Sequence, residues 1–153
     1  MNVSKEITDY WNRFKKENQI TSQLVNAWSF GDNPQLADEL LELVLTGKKT
    51  GTATLVIELK KEGEKMPEVG DYNIILDGKG KPSAIIRTTS VIIKPFNQVE
   101  EEYAYSEGEN DRTLESWKRE HWKYWTRKGQ KLGFKMKEDL LVICENFKLV
   151  YPT

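Results

Sequence analysis

The stretch from Gln35 to Thr46 constrains this chain more than any other. Leu36, Leu40, Leu41, Leu43, Val44 and Leu45 cover more than a narrow stripe. A helix with that pattern is buried on most of its circumference, so the rest of the domain must be built around it. Asn33 suits its N-cap and Pro34 its first helical position. The helix delivers the chain into Gly47-Lys48-Lys49-Thr50-Gly51-Thr52, bounded by two glycines that release ordinary backbone limits. A helix C-terminus accounts for much of this string, with Gly47 at the cap and lysines favoured by the dipole. The same string also offers a cation, a possible base and a hydroxyl on a loop held by a rigid element, a common place for functional groups.

Around this helix the chain alternates short periodic segments. Ser4 to Gln19 predicts a helix, with Ile7, Tyr10, Trp11 and Phe14 on one face and Ser4 as its cap. Ala27-Trp28-Ser29-Phe30-Gly31-Asp32-Asn33-Pro34 puts two aromatics ahead of a turn. They read equally as a staple closing onto the helix or as a shelf on which a planar ligand stacks. Thr52 to Lys61 fits a strand by β-branching or a short helix, and helix is the expectation. Tyr72–Leu76 reads as a strand, Asp77-Gly78-Lys79-Gly80 as a hairpin turn, and Ser83–Ile93 as a second β run. Asn97 to Asp111 is acidic and turn-rich, the usual composition of a solvated face. Arg112 to Arg127 predicts a helix carrying Leu114, Trp117, His121 and Tyr124 on one face, and Leu141–Tyr151 a final strand. No repeat or linker interrupts residues 1–153, which predicts a single α+β domain, with the helix at 4–19 as an addition to its core.

Composition removes several chemistries. Cys144 is the only cysteine and sits in an apolar run, which predicts a buried, inert thiol with no internal disulfide. His121 is the only histidine, so a zinc site needing two imidazoles is excluded. Neither a metal nor a cofactor is expected. With 23 basic and 24 acidic residues the net charge is −1, which argues against wrapping duplex DNA or a long RNA. No run approaches the ~18 apolar residues of a membrane span, and Met1 to Ile20 has no signal-peptide core, so a cytoplasmic location is expected.

Several of these segments, taken in order, resemble the ASCH domain family. They are Trp28-x-Phe30-Gly31-Asp32, Gly47-x-Lys49-x-x-Thr52, the Gly70-Asp71 pair, and Glu107-Gly108-Glu109 followed by Trp117 and His121. The resemblance spans roughly Trp28 to His121. It implies a small PUA-like β-barrel with helices packed around it, and a cleft beside the Gly-x-Lys-x-x-Thr segment for RNA or a nucleotide. Some small bacterial members are amidohydrolases that remove the acetyl group of N4-acetylcytidine, using a Lys, a Thr three residues later and a Glu further along. Lys49 and Thr52 match the first two by spacing, and Glu107 matches the third through Ala104-x-x-Glu107, with Glu109 close enough to compete. The ligand contacts implied are Trp28, Phe30, Asp32, Lys48, Glu109 and His121. The expected partner is therefore a nucleoside, a nucleotide or a short single-stranded RNA. The chain departs from the small members by its greater length, its N-terminal helix and its Trp28–Asp32 segment, so it resembles a different branch.

The chemistry has a tension of its own. A threonine nucleophile needs a base, and a free lysine is neutral in only about one molecule in 10³ at pH 7. Burial would favour a neutral Lys49, while a nearby Glu107 would oppose it. Either Lys49 is the base, or it polarises an acyl oxygen as a cation while Glu107 manages protons.

Overall fold

A computed structural model describes residues 4–152. In chain order the elements are α1 (Lys5–Asn18), β1 (Asn26–Trp28), α2 (Pro34–Leu45), β2 (Gly51–Leu55), α3 (Val56–Glu62), β3 (Tyr72–Leu76), β4 (Pro82–Pro95), α4 (Glu101–Glu107), α5 (Leu114–Leu132) and β5 (Leu141–Tyr151), with one 3-10 turn at Phe96–Gln98. The strands form a five-stranded sheet in the order β1-β3-β4-β5-β2. It is mixed: β1 runs parallel to β3, whereas β3 with β4 and β2 with β5 are antiparallel. β1 and β2 are its end strands, so among the described residues the sheet is open and the expected barrel closure is absent.

The chain divides into two compact units. The first takes residues up to Lys48, Val69–Thr89 and the chain from Phe147; the second takes Lys49–Glu68 and Ser90–Asn146.

In the first unit, strand alternation sends side chains to two helices. Tyr72, Ile74 and Ile85 pack with Ile7, Trp11 and Phe14 of α1, while Ile75, Ala84 and Ile86 pack with Leu40, Leu41 and Val44 of α2. Both faces are covered, which is why these strands read as continuous apolar runs rather than alternating ones. The caps follow the sequence: Ser4 Oγ accepts from Ile7 N at 3.2 Å, and Asn33 Oδ1 accepts from Leu36 N at 2.9 Å, with Pro34 opening α2. The hairpin turn is closed by Asp77, whose N–H donates to the Lys81 carbonyl and whose carboxylate accepts from Lys79 N and Lys81 N.

In the second unit, β2 and β5 present Ala53, Leu55, Val142 and Cys144 to a cluster built on Phe96, Trp117 and Trp125. Two expectations change here. Gly51–Leu55 is a strand, and the helix expected over Thr52–Lys61 begins only at Val56. The β-branched half pairs with β5, and the helix starts where Glu58 reaches back to accept from Leu55 N at 3.2 Å. The acidic run is not wholly a solvated face either. Part of it folds as α4, which buries Ala104 and Glu107 and exposes Glu101 and Glu102.

Candidate functional site

The Lys49–Thr52 segment is fixed by groups that arrive from far along the chain. Thr50 N donates to the Ser106 carbonyl at 2.7 Å, and Thr50 Oγ1 donates to the same oxygen at 3.1 Å. Asn146 Nδ2 donates to the Thr50 carbonyl and to Ser106 Oγ, both at 3.0 Å. Ser106 Oγ donates to the Tyr103 carbonyl at 2.6 Å, and the Tyr103 hydroxyl lies 2.7 Å from the Thr52 carbonyl. Gly51 is required by close approach: a Cβ there would meet Asn146 Nδ2 and Ser106 Oγ at 3.0 Å. One face of α4 together with Asn146 of β5 thus holds the segment by its backbone.

The clamp places the Lys49 amine in the interior, with the residue only 2% exposed. Its Nζ lies 2.6 Å from Glu109 Oε2, 3.3 Å from the Glu107 carbonyl and 3.7 Å from Glu107 Oε1. Glu107 ends α4 and is itself buried, its Oε2 accepting from Trp117 Nε1 at 2.7 Å and its Oε1 lying 3.3 Å from His121 Nε2. His121 Nδ1 is 2.8 Å from the Trp117 carbonyl, which can only accept, so that nitrogen carries a proton. The other ring nitrogen faces a carboxylate oxygen and needs a proton too, so the geometry is that of an imidazolium. Its ring stacks on Trp117 with centroids 4.2 Å apart, a cation over an indole face.

The electrostatics agree. Burial alone would raise Glu107, but the charges of His121 and Lys49 and hydrogen bonds from His121 and Trp117 hold its carboxyl down at about 2. Burial alone would lower His121, but the Glu107 charge and hydrogen bond, the Glu109 charge and the Trp117 carbonyl raise it above its ordinary value. The cluster is therefore two carboxylates against an ammonium and an imidazolium, and its charges balance. Glu107 in this state is a firm anion and a weak proton acceptor.

The structure thus brings together Lys49, Glu107, Glu109 and His121. Both glutamates that competed from the sequence touch Lys49, Glu109 through the shorter contact. Thr52 is half-buried on β2 opposite Glu145, and strand alternation puts it on the face away from Ala53 and Leu55. Trp28, Phe30, Asp32 and Lys48 belong to the first unit. Phe30 is 4% exposed, packed on Trp28 and Phe147 among the α2 leucines, and offers no open ring face. Trp28 is half-buried and donates through Nε1 to Asn73 Oδ1 at 3.0 Å; Asp32 and Lys48 are exposed.

Sequence reasoning did not find Tyr103, Ser106 or Asn146, whose roles depend on backbone carbonyls that no motif encodes. A recess of about 220 Å³ in the second unit is lined by Ile92, Lys94, Glu100, Glu102, Tyr103, Ser106, Cys144 and Asn146, and not by the lysine cluster. Cys144 in its wall is pushed up to about 12 by burial and by the Glu107 charge, so its thiol stays protonated. No group of three or more His, Cys, Asp or Glu side chains among the described residues is arranged to hold a metal ion, and none of their helices is long and apolar enough to cross a membrane.

The chain is similar to known structures over nearly its whole length. Protein EF3133 from Enterococcus faecalis V583 is 35% identical, with a TM-score of 0.89 over 95% of this chain and 88% of that one. An ASCH domain from Lactobacillus crispatus JV V101 is 28% identical, with a TM-score of 0.88 over 97% of this chain and 96% of that one. Hypothetical protein PH0355, at 15% identity and a TM-score of 0.53 over 82% of this chain and 98% of that one, shares the fold alone. No curated protein matches. The family model of the ASCH domain matches residues 26–151. With that match spanning both the sheet and the lysine cluster, the chain belongs to the ASCH domain family.

Proposed function

We propose that this ASCH domain binds a nucleotide or a short single-stranded RNA, with Lys49 as the cation that meets a phosphate oxygen. The observation that carries the reading is the buried ammonium of Lys49 between Glu107 and Glu109. Burying such a cluster costs several kcal/mol of desolvation per ion, and a well-packed apolar group often does as well or better for stability. A lysine fixed there by Tyr103, Ser106 and Asn146 is better accounted for by a ligand than by the core. The near-neutral chain suits a short contact rather than an extended one.

The second reading is an amidohydrolase acting on a modified nucleoside such as N4-acetylcytidine, with Lys49, Thr52 and Glu107 as its centre. Contacting titratable groups with opposed shifts favour it, since such groups concentrate where chemistry is done. Against it stands Glu107, held too low to be an effective base near neutrality. The experiment is a thermal-shift screen of nucleosides, nucleotides and short RNAs, with each mixture analysed by mass spectrometry. Stabilisation without product supports the binding module; release of acetate from N4-acetylcytidine replaces it with the hydrolase; no stabilisation and no product contradicts both.

A further inference from the structure

The two glutamates that touch Lys49 are held very differently. Glu107 is anchored by Trp117, His121 and its own helix. The Glu109 carboxylate has Lys49 as its one bonded partner among the described residues, and its side chain is 25% exposed where that of Glu107 is 2% exposed. Glu109 also rides on a short connection between α4 and α5 in which Gly108, Asn110 and Arg112 all have positive φ, at 70°, 54° and 65°. Asparagine tolerates that conformation, but for Arg112 it is disfavoured and is held by local contacts. The Arg112 guanidinium lies 3.5 Å from the centre of the Tyr105 ring, its Nε donates to the Tyr105 carbonyl at 3.0 Å, and its backbone N–H donates to the Glu109 carbonyl at 3.0 Å. Asp111 pins the far end through the hydroxyls of Thr113 and Ser116, each at 2.6 Å.

Resting on the nucleic-acid reading, we propose that Glu109 is a place-holder: it occupies the position on Lys49 that the ligand's oxyanion takes, and it leaves when the ligand arrives. Charge fixes the ligand class. With Glu109 in place the cluster is neutral, Lys49 and His121 against Glu107 and Glu109. Withdrawing Glu109 leaves one positive charge, so a singly charged oxyanion restores neutrality and a doubly charged one overshoots. A phosphodiester carries one charge per phosphate and a terminal phosphate carries more, so the exchange favours an internal phosphate of a strand over a free terminal one. Glu109 is on this account a specificity-determining residue, and Glu107 stays fixed throughout.

The test needs no natural ligand. Reductive methylation of Lys49 is followed by peptide mass spectrometry in the wild type and in Glu109→Gln, with Lys128, another lysine paired to carboxylates, as the internal reference. Lys49 is expected to react several-fold faster in Glu109→Gln with Lys128 unchanged, and dimethyl phosphate, a singly charged phosphodiester, is expected to slow it again. Equal Lys49 rates in the two proteins, acceleration shared equally by Lys128, or acceleration that dimethyl phosphate does not reverse would each overturn the proposal. Failure of every nucleotide and RNA to bind the wild type, with the labelling result intact, would remove the nucleic-acid reading and leave the place-holder standing.

Discussion

Removing the Lys49 amine would strand Glu107 beneath the surface with His121 as its remaining opposite charge. We therefore predict that Lys49→Met destabilises the fold by about 3–5 kcal/mol, the cost of breaking a buried pair from one side, measured by urea unfolding at neutral pH. A loss below about 1 kcal/mol, as for an exposed loop lysine, would contradict the buried cluster. The Gly-x-Lys-x-x-Thr spacing marks this lysine in the sequence, but its burial is not legible there. Flanking glycines suggest an exposed loop, and the groups that enclose the amine, the Glu107 carbonyl and the Glu109 carboxylate, lie far along the chain. His121 gives a second residue-scale prediction. It is the only histidine, so its ring resonances are read without assignment. Glu107→Gln removes the charge that does most to raise it, and its pKa should fall relative to the wild type in an NMR titration. An unchanged value would mean that the two groups are not in contact.

Among the elements, β2 shows what local sequence leaves out. Thr52-Ala53-Thr54-Leu55 is compatible with helix or strand, and the choice is made by β5, whose pairing partners for it are Val142 to Asn146. Local propensity does not carry that information. α4 is similar: its acidic residues suggest a solvated face, yet the helix turns one glutamate inward because Trp117 and His121 await it. By contrast α1, α5, the Asp77 turn and β5 follow periodicity and caps closely, since those signals lie within one segment. α2 keeps its caps but buries one face, Ala37, Leu40, Leu41 and Val44, and leaves Leu45 exposed, so it is not covered on most of its circumference as its leucines suggest. The clamp that α4 makes with Asn146 supports a third prediction. Gly51→Ala inserts a methyl at 3.0 Å from Asn146 Nδ2 and Ser106 Oγ, and should cost about 1–3 kcal/mol as overpacking. Combining it with Ser106→Gly should recover part of the loss in thermal unfolding; no recovery would place the strain elsewhere.

For the molecule as a whole, the cluster links stability to pH in two directions. Glu107 is depressed on folding, so its contribution is present above its ordinary range and is lost as pH falls toward about 2. His121 is raised on folding, so its contribution is complete below about 6.5 and is lost as pH rises through its elevated value. Urea unfolding across pH should therefore show the wild type losing stability at both ends, and His121→Gln should lack the alkaline loss. An alkaline limb that survives in His121→Gln would assign it to another group. One NMR titration decides whether an oxyanion of a nucleotide or RNA binds at Lys49, as proposed. The His121 ring signals of the uniformly labelled protein are followed while a short single-stranded RNA is added. A saturable shift of those signals is expected in the wild type and none in Lys49→Met, compared where that variant is still folded; signals that do not move in the wild type, or that move equally in Lys49→Met, would rule out binding at Lys49.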